Sequence, residues 1–155
     1  MTIARCRQVS VQTTPYYHVI GRCVRRAFLC GFDASTGKDF EHRRQWVIER
    51  LELLCSVFAV ELCSYAIMSN HYHLVVRLAP DQVESWTDEE VLSRWEKLYG
   101  IATPIEIGLA EDAFPAQRAL AEEMNETKRQ RLADLSWFMK CLKINTGQVW
   151  LEHQY

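Results

Sequence analysis

The run Ser69-Asn70-His71-Tyr72-His73-Leu74-Val75-Val76-Arg77-Leu78 constrains this chain more than any other stretch, because its side chains alternate in character with a period of two. In a strand, successive side chains point to opposite faces. Tyr72, Leu74, Val76 and Leu78 are therefore expected on one face, suited to a cover of helices, with His71, His73 and Arg77 on the other. Upstream, Cys63-Ser64-Tyr65-Ala66-Ile67-Met68 reads as a second strand, and Ser69-Asn70 as the tight turn of an antiparallel hairpin. Two imidazoles two residues apart on an open face can converge on one divalent ion. The same spacing also suits two half-exposed polar residues beside a turn, and spacing alone does not separate the two readings.

The flanking segments supply the rest of a fold. Tyr16 to Val24 alternates and is rich in β-branched and aromatic residues, which predicts a first strand with Arg22, Arg25 and Arg26 clustered at its end. After the turn-like Asp33-Ala34-Ser35-Thr36-Gly37, apolar residues at Val47, Leu51, Leu54 and Phe58 predict an amphipathic helix from about Phe40 to Leu62, with Asp39 as its cap. Beyond the hairpin, Thr87 begins a further helix, with Glu90 as capping-box partner, a packed face at Val91, Leu92, Trp95 and Leu98, and Gly100 as its end. Residues 101–116, with Pro104, Gly108 and Pro115, read as a connecting insertion. A long helical segment, with room for a break, is expected from about Ala116 to Leu142, its apolar positions at Leu132, Leu135, Phe138, Met139 and Leu142.

With 155 residues and 48% hydrophobic content, the chain has material for one full core, so one domain over 1–155 is expected. Its core lies at about 15–80, and the helical insertion and C-terminal helix at about 85–145. No apolar run approaches the ~20 residues of a membrane span. Met1-Thr2-Ile3-Ala4-Arg5-Cys6-Arg7 lacks the apolar stretch of a signal peptide, so a cytoplasmic protein without membrane partners is expected. Cys6, Cys23, Cys30, Cys55, Cys63 and Cys141 show no paired C-x-x-C spacing and read as reduced thiols.

The net charge is −2, but it is segregated. The first 60 residues and the last 28 carry an excess of Lys and Arg, which the acidic stretch between them cancels. Such segregation permits a basic face built from the amino-terminal third and the last helix, of the kind a phosphate backbone needs. Runs such as Lys128-Arg129-Gln130-Arg131 also read as ordinary solvated helix faces.

Taken in order, Tyr17-His18-Val19-Ile20, Arg22, Cys23-Val24-Arg25-Arg26-Ala27-Phe28, the helix, and Tyr65-Ala66-Ile67-Met68-Ser69-Asn70-His71-Tyr72-His73-Leu74 resemble the tyrosine transposases of the HUH superfamily, more narrowly those of small insertion sequences and the REP-associated branch. The resemblance covers roughly residues 15–145. Serine stands at Ser69, where the family turn usually has proline.

The resemblance implies a ferredoxin-like α/β (α+β) fold, an antiparallel sheet with helices on one face and the other open to DNA. It implies that His71 and His73 hold Mg²⁺ or Mn²⁺, and that single-stranded or hairpin DNA is cleaved and rejoined through a 5′-phosphotyrosine. Arg22, Arg25, Arg26 and Arg77 become candidate phosphate contacts. Transposases of this type are often dimers, so a homodimer is part of the expectation.

One departure matters. The family's nucleophilic tyrosine and third metal ligand lie in a Tyr-x-x-x-Asn-Pro type of stretch downstream of the segment like Leu135-Ser136-Trp137-Phe138, and no such stretch follows here. Tyr155 is the one tyrosine after Tyr99, and it stands as a weak candidate nucleophile or as a frayed end. The expectation is therefore a transposase whose tyrosine helix is cut off, the alternative being a cleavage-incompetent DNA-binding remnant. An unrelated metal-dependent phosphoesterase is a third reading. For a closing fourth strand, Gln148-Val149-Trp150-Leu151 is the late candidate.

Overall fold

The chain runs β1 (Tyr16–Arg22), β2 (Phe32–Asp33), β3 (Lys38–Asp39), α1 (His42–Val57), β4 (Val60–Ile67), β5 (His71–Leu78), α2 (Pro80–Ser85), α3 (Asp88–Tyr99), α4 (Thr103–Leu109), α5 (Pro115–Leu132) and α6 (Leu135–Glu152). This computed structural model describes residues 9–22, 28–101 and 103–152, of which 144–152 are described as helical backbone. Within those bounds the fold is mixed α/β: an antiparallel sheet of order β1-β5-β4 with helices packed against one face.

The alternation of β5 sets the layers. Tyr72, Leu74, Val76 and Leu78 are buried, while His71, His73, Val75 and Arg77 are half-exposed on the opposite face. Tyr72, Leu74 and their neighbours Val19 and Ile67 meet Val47, Leu51, Leu54 and Val57 of α1 and Leu135, Phe138, Met139 and Leu142 of α6 in one core. Each fully buried aliphatic or aromatic side chain there contributes about 1.5–3 kcal/mol. A satellite core of Leu92, Ile105 and Ala121 joins α3, α4 and α5. Gly108 brings α4 close to α5, since an added Cβ would overlap Ala121 and the Gln117 carbonyl.

The hairpin closes as expected. The Met68 N–H donates to the His71 carbonyl at 2.8 Å across Ser69-Asn70. A bulge between Leu62 and Ser64 shifts the β4 register, so that Glu61 faces Arg77 and Ala66 faces His73.

Several local expectations are corrected. α1 ends at Val57, well before Leu62, because long-range bonds claim the chain there: the Ala59 N–H donates to Leu132 O at 2.9 Å, and Ala59 O accepts from the Ala79 N–H at 3.0 Å. Its N-cap is Glu41, with no side-chain cap bond; Asp39 acts one step earlier, accepting the Glu41 N–H at 2.8 Å. The segment read as a plain connection holds α4, with Pro104 in its first turn, where the missing N–H is harmless. Gln148-Val149-Trp150-Leu151 is helix within α6 and not a fourth strand, so among the described residues the main sheet has three strands. Thr87 caps α3, accepting the Glu90 N–H at 3.2 Å, but the Glu90 carboxylate turns to Arg94 at 2.7 Å rather than back to the cap. Among the described residues, no helix is long and apolar enough to cross a membrane.

Candidate nucleic-acid interface and metal site

The uncovered face of the sheet is a grid fixed by register. Across β1 and β5, Arg22 pairs with His71, Ile20 with His73, His18 with Val75 and Tyr16 with Arg77. Antiparallel partners share a face, so these side chains form four rungs on the open side. Tyr16 and Ile20 are exposed on it, 55% and 48% respectively.

Three imidazoles meet at its centre. The rings of His18 and His73 stack at 5.0 Å between centroids, 18° from parallel, with His18 Nε2 2.8 Å from His73 Nδ1. The ring of His71 stands edge-on to that of His73 at 5.1 Å. His71 Nδ1 lies 2.5 Å from Asn70 Oδ1, and because an amide oxygen only accepts, the His71 Nδ1 carries the hydrogen. In the neutral ring that tautomer puts the lone pair on Nε2. A hydrogen bond at one ring nitrogen that fixes the tautomer for the other is the usual support of a metal-ligating histidine. His71 and His73 are thus the residues that would hold a divalent ion, each contacted at Nδ1 by a neighbour. Among the described residues no group of three or more His, Cys, Asp or Glu side chains is disposed to hold a metal.

The face is braced from behind. The Tyr72 ring lies over Gly21, its cross-strand partner, where an added Cβ would overlap the ring. The N–H groups of Leu29 and Cys30 both reach the Ser69 carbonyl, at 2.5 and 3.3 Å, and the Arg44 guanidinium donates to the Ile67 carbonyl. The turn that presents the histidines is therefore tied both to residues 29–30 and to α1. Cys30 adds a thiol bond to Met68 O at 3.3 Å, and burial pushes its pKa up, which keeps it a neutral thiol.

Of the other residues singled out from the sequence, Arg22 is exposed in the rung of His71, on the face that carries the histidines. Arg77 is on the same face but at the far end, and its guanidinium is 2.7 Å from Glu61. That ion pair raises its pKa and commits its charge. Arg25, Arg26 and Tyr155 lie outside the described residues. Among the described tyrosines, Tyr17 and Tyr72 face the core, Tyr65 shares the face of Leu74, and Tyr99 bonds Cys141 Sγ at 2.9 Å on the helical side. Tyr16 is on the open face, but four residues along β1 from the partner of His73, roughly 13 Å by strand rise. Tyr72 lies between the two histidines in the chain but on the opposite face, and none of these tyrosines is beside the pair on the open face.

His18 was not among the candidates read from the sequence. Its parity with Arg22 in an alternating strand was the available signal, but only the β1 to β5 register puts its ring against His73. No protein-family model, curated protein or solved structure matches this chain significantly.

Proposed function

We propose that the open sheet face is the working surface of a DNA strand-cleaving protein of the HUH tyrosine transposase type, with single-stranded or hairpin DNA as substrate. The observation that carries the reading is the convergence of His71 and His73 on an uncovered face, each held at Nδ1 by a neighbour, with Arg22 in the next position across the sheet. In this reading Arg22 grips a phosphate beside the histidines, and the exposed rings and side chains of Tyr16 and Ile20 lie along the bases, which stack on any aromatic face. Mg²⁺ or Mn²⁺ held by His71 and His73 supplies Lewis-acid polarisation of a phosphate oxygen.

A second reading, binding to the same DNA without cleavage, is favoured by one observation: no tyrosine among the described residues stands beside the histidine pair on the open face, Tyr72 being turned to the core. The two readings separate on a denaturing gel of the protein incubated with Mn²⁺ and labelled hairpin oligonucleotides. A chelator-sensitive covalent adduct, lost in His71→Ala, supports cleavage. Salt-sensitive binding without an adduct supports the second reading. Absence of both rejects the open face as a DNA surface.

A further inference from the structure

The helical side of the molecule, away from the histidines, carries a second concentration of positive charge, interleaved with aromatic rings. The Arg131 guanidinium of α5 lies 4.3 Å from the Trp137 ring and 5.9 Å from the Trp95 ring. Lys140 Nζ of α6 is 4.2 Å from Trp137, and Lys128 Nζ is 5.7 Å from Trp95. The two indoles are 6.1 Å apart, and Tyr99 continues the aromatic run at 4.9 Å from Trp95. From α1, Arg50 reaches the same cluster and donates to Cys141 O at 3.2 Å.

These cations lack the carboxylate partner that four of the described arginines have. Arg44, Arg77, Arg94 and Arg129 each lie within 4.0 Å of a carboxylate. Among the described residues, Arg50, Lys128, Arg131 and Lys140 have no such partner. Asp134, three residues from Arg131, spends its Oδ1 on the Trp137 N–H at 2.8 Å, capping α6. Lys128 is 5% exposed, and burial, with the charge of Arg131 second, pushes its pKa down. Arg50 is likewise pushed down by burial, and its Nε has no hydrogen-bond partner. Desolvated cations without counter-charge are costly, and ring faces offset only part of that cost. An external anion is the missing partner. Cations alternating with rings suit one ligand better than free phosphate: a chain that alternates charged phosphates with flat bases.

We propose that Arg131, Trp137 and Lys140, with the charge of the buried Lys128 beside them, form a second nucleic-acid site, taking the phosphodiester backbone on the helical side of the fold. The site stands independently of the histidine face and of any cleavage there. In a hairpin substrate it is placed to hold a stretch of backbone that the sheet face does not.

The test is the salt dependence of binding of the full chain to a labelled hairpin oligonucleotide, read by fluorescence anisotropy. Lys140→Gln changes an exposed side chain, and Arg131→Gln removes the central charge. Each is expected to weaken binding several-fold and to lower the slope of log affinity against log salt by about 0.7–0.9. Arg131→Lys keeps the charge and is expected to restore the slope. Unchanged slopes in both Gln variants, with wild-type melting, overturn the proposal. So does a result in which the variants lose affinity for inorganic tripolyphosphate but bind the hairpin as wild type does, since the site then serves a free polyanion.

Discussion

His18 on β1 and His73 on β5 are 55 residues apart in the chain, yet their rings stack at 5.0 Å with ring nitrogens 2.8 Å apart. The contact occupies Nδ1 of His73 and leaves Nε2 as the ring nitrogen for a ligand, in a ring whose centroid is 5.1 Å from that of His71. A residue that orients a ligand typically changes metal affinity by about 10–100-fold when it is lost. His18→Ala is accordingly expected to weaken Mn²⁺ binding by that order, measured by titration calorimetry, while His18→Gln, which keeps a hydrogen-bonding partner, retains most of it. Equal affinity in His18→Ala would show that the stacked pair does not position the site.

Gly21 and Tyr72 couple the same site to the core. The Tyr72 ring occupies the space a side chain at position 21 would need, and Tyr72 is flanked by His71 and His73. Gly21→Ala forces the ring aside and is expected to destabilise the fold by about 1–3 kcal/mol, as overpacking does. Urea unfolding checks the magnitude, and wild-type stability would contradict the packing described.

Leu74 is fully buried in the central strand, directly behind the histidine face. Leu74→Ala removes its packing against the helical layer and is expected to cost about 2–5 kcal/mol. A loss below 1 kcal/mol in chemical denaturation would mean that the helices do not close on β5.

Asp33 closes the turn between β2 and β3, its carboxylate accepting from the Ser35 hydroxyl at 2.7 Å and N–H at 2.9 Å, and from the Thr36 hydroxyl at 2.7 Å. Those bonds, the Ser35 side chain first and the Thr36 side chain second, hold its pKa below the ordinary carboxylate value. The folded pKa is depressed, so the unfolded chain binds more protons through the window between the two values. The contribution is therefore present above the unfolded carboxylate value and is lost as the pH falls through the lower, folded one. Asp33→Asn is expected to flatten the acid limb of the stability profile; an unchanged limb would contradict the turn.

How much of this was legible in the sequence follows from the range of the interactions involved. The faces of β5 could be read from Tyr72, Leu74, Val76 and Leu78 alone, because strand alternation is local, and the Ser69-Asn70 turn and Thr87 cap are equally local signals. The end of α1 could not, since Phe58 and Leu62 continue a helical spacing that is overridden by bonds from Ala59 to Leu132 and Ala79. α4 was hidden by Pro104 and Gly108, which read as loop residues and serve instead as a helix start and a close helix contact. On the site itself, the shared face of His71, His73 and Arg77 followed from parity. The His18 contact and the ion pair of Arg77 with Glu61 depend on cross-strand register, the latter across a bulge, which no local pattern encodes.

On the proposed reading, the uncovered sheet face holds a divalent ion between His71 and His73. The most direct test of that reading is an amide NMR spectrum of the labelled protein titrated with substoichiometric Mn²⁺. Paramagnetic broadening centred on residues 71–73 and on residues 18–22 of β1 is expected, abolished in His71→Ala. Broadening confined to the acidic helices, with the amides of β5 untouched, would contradict it.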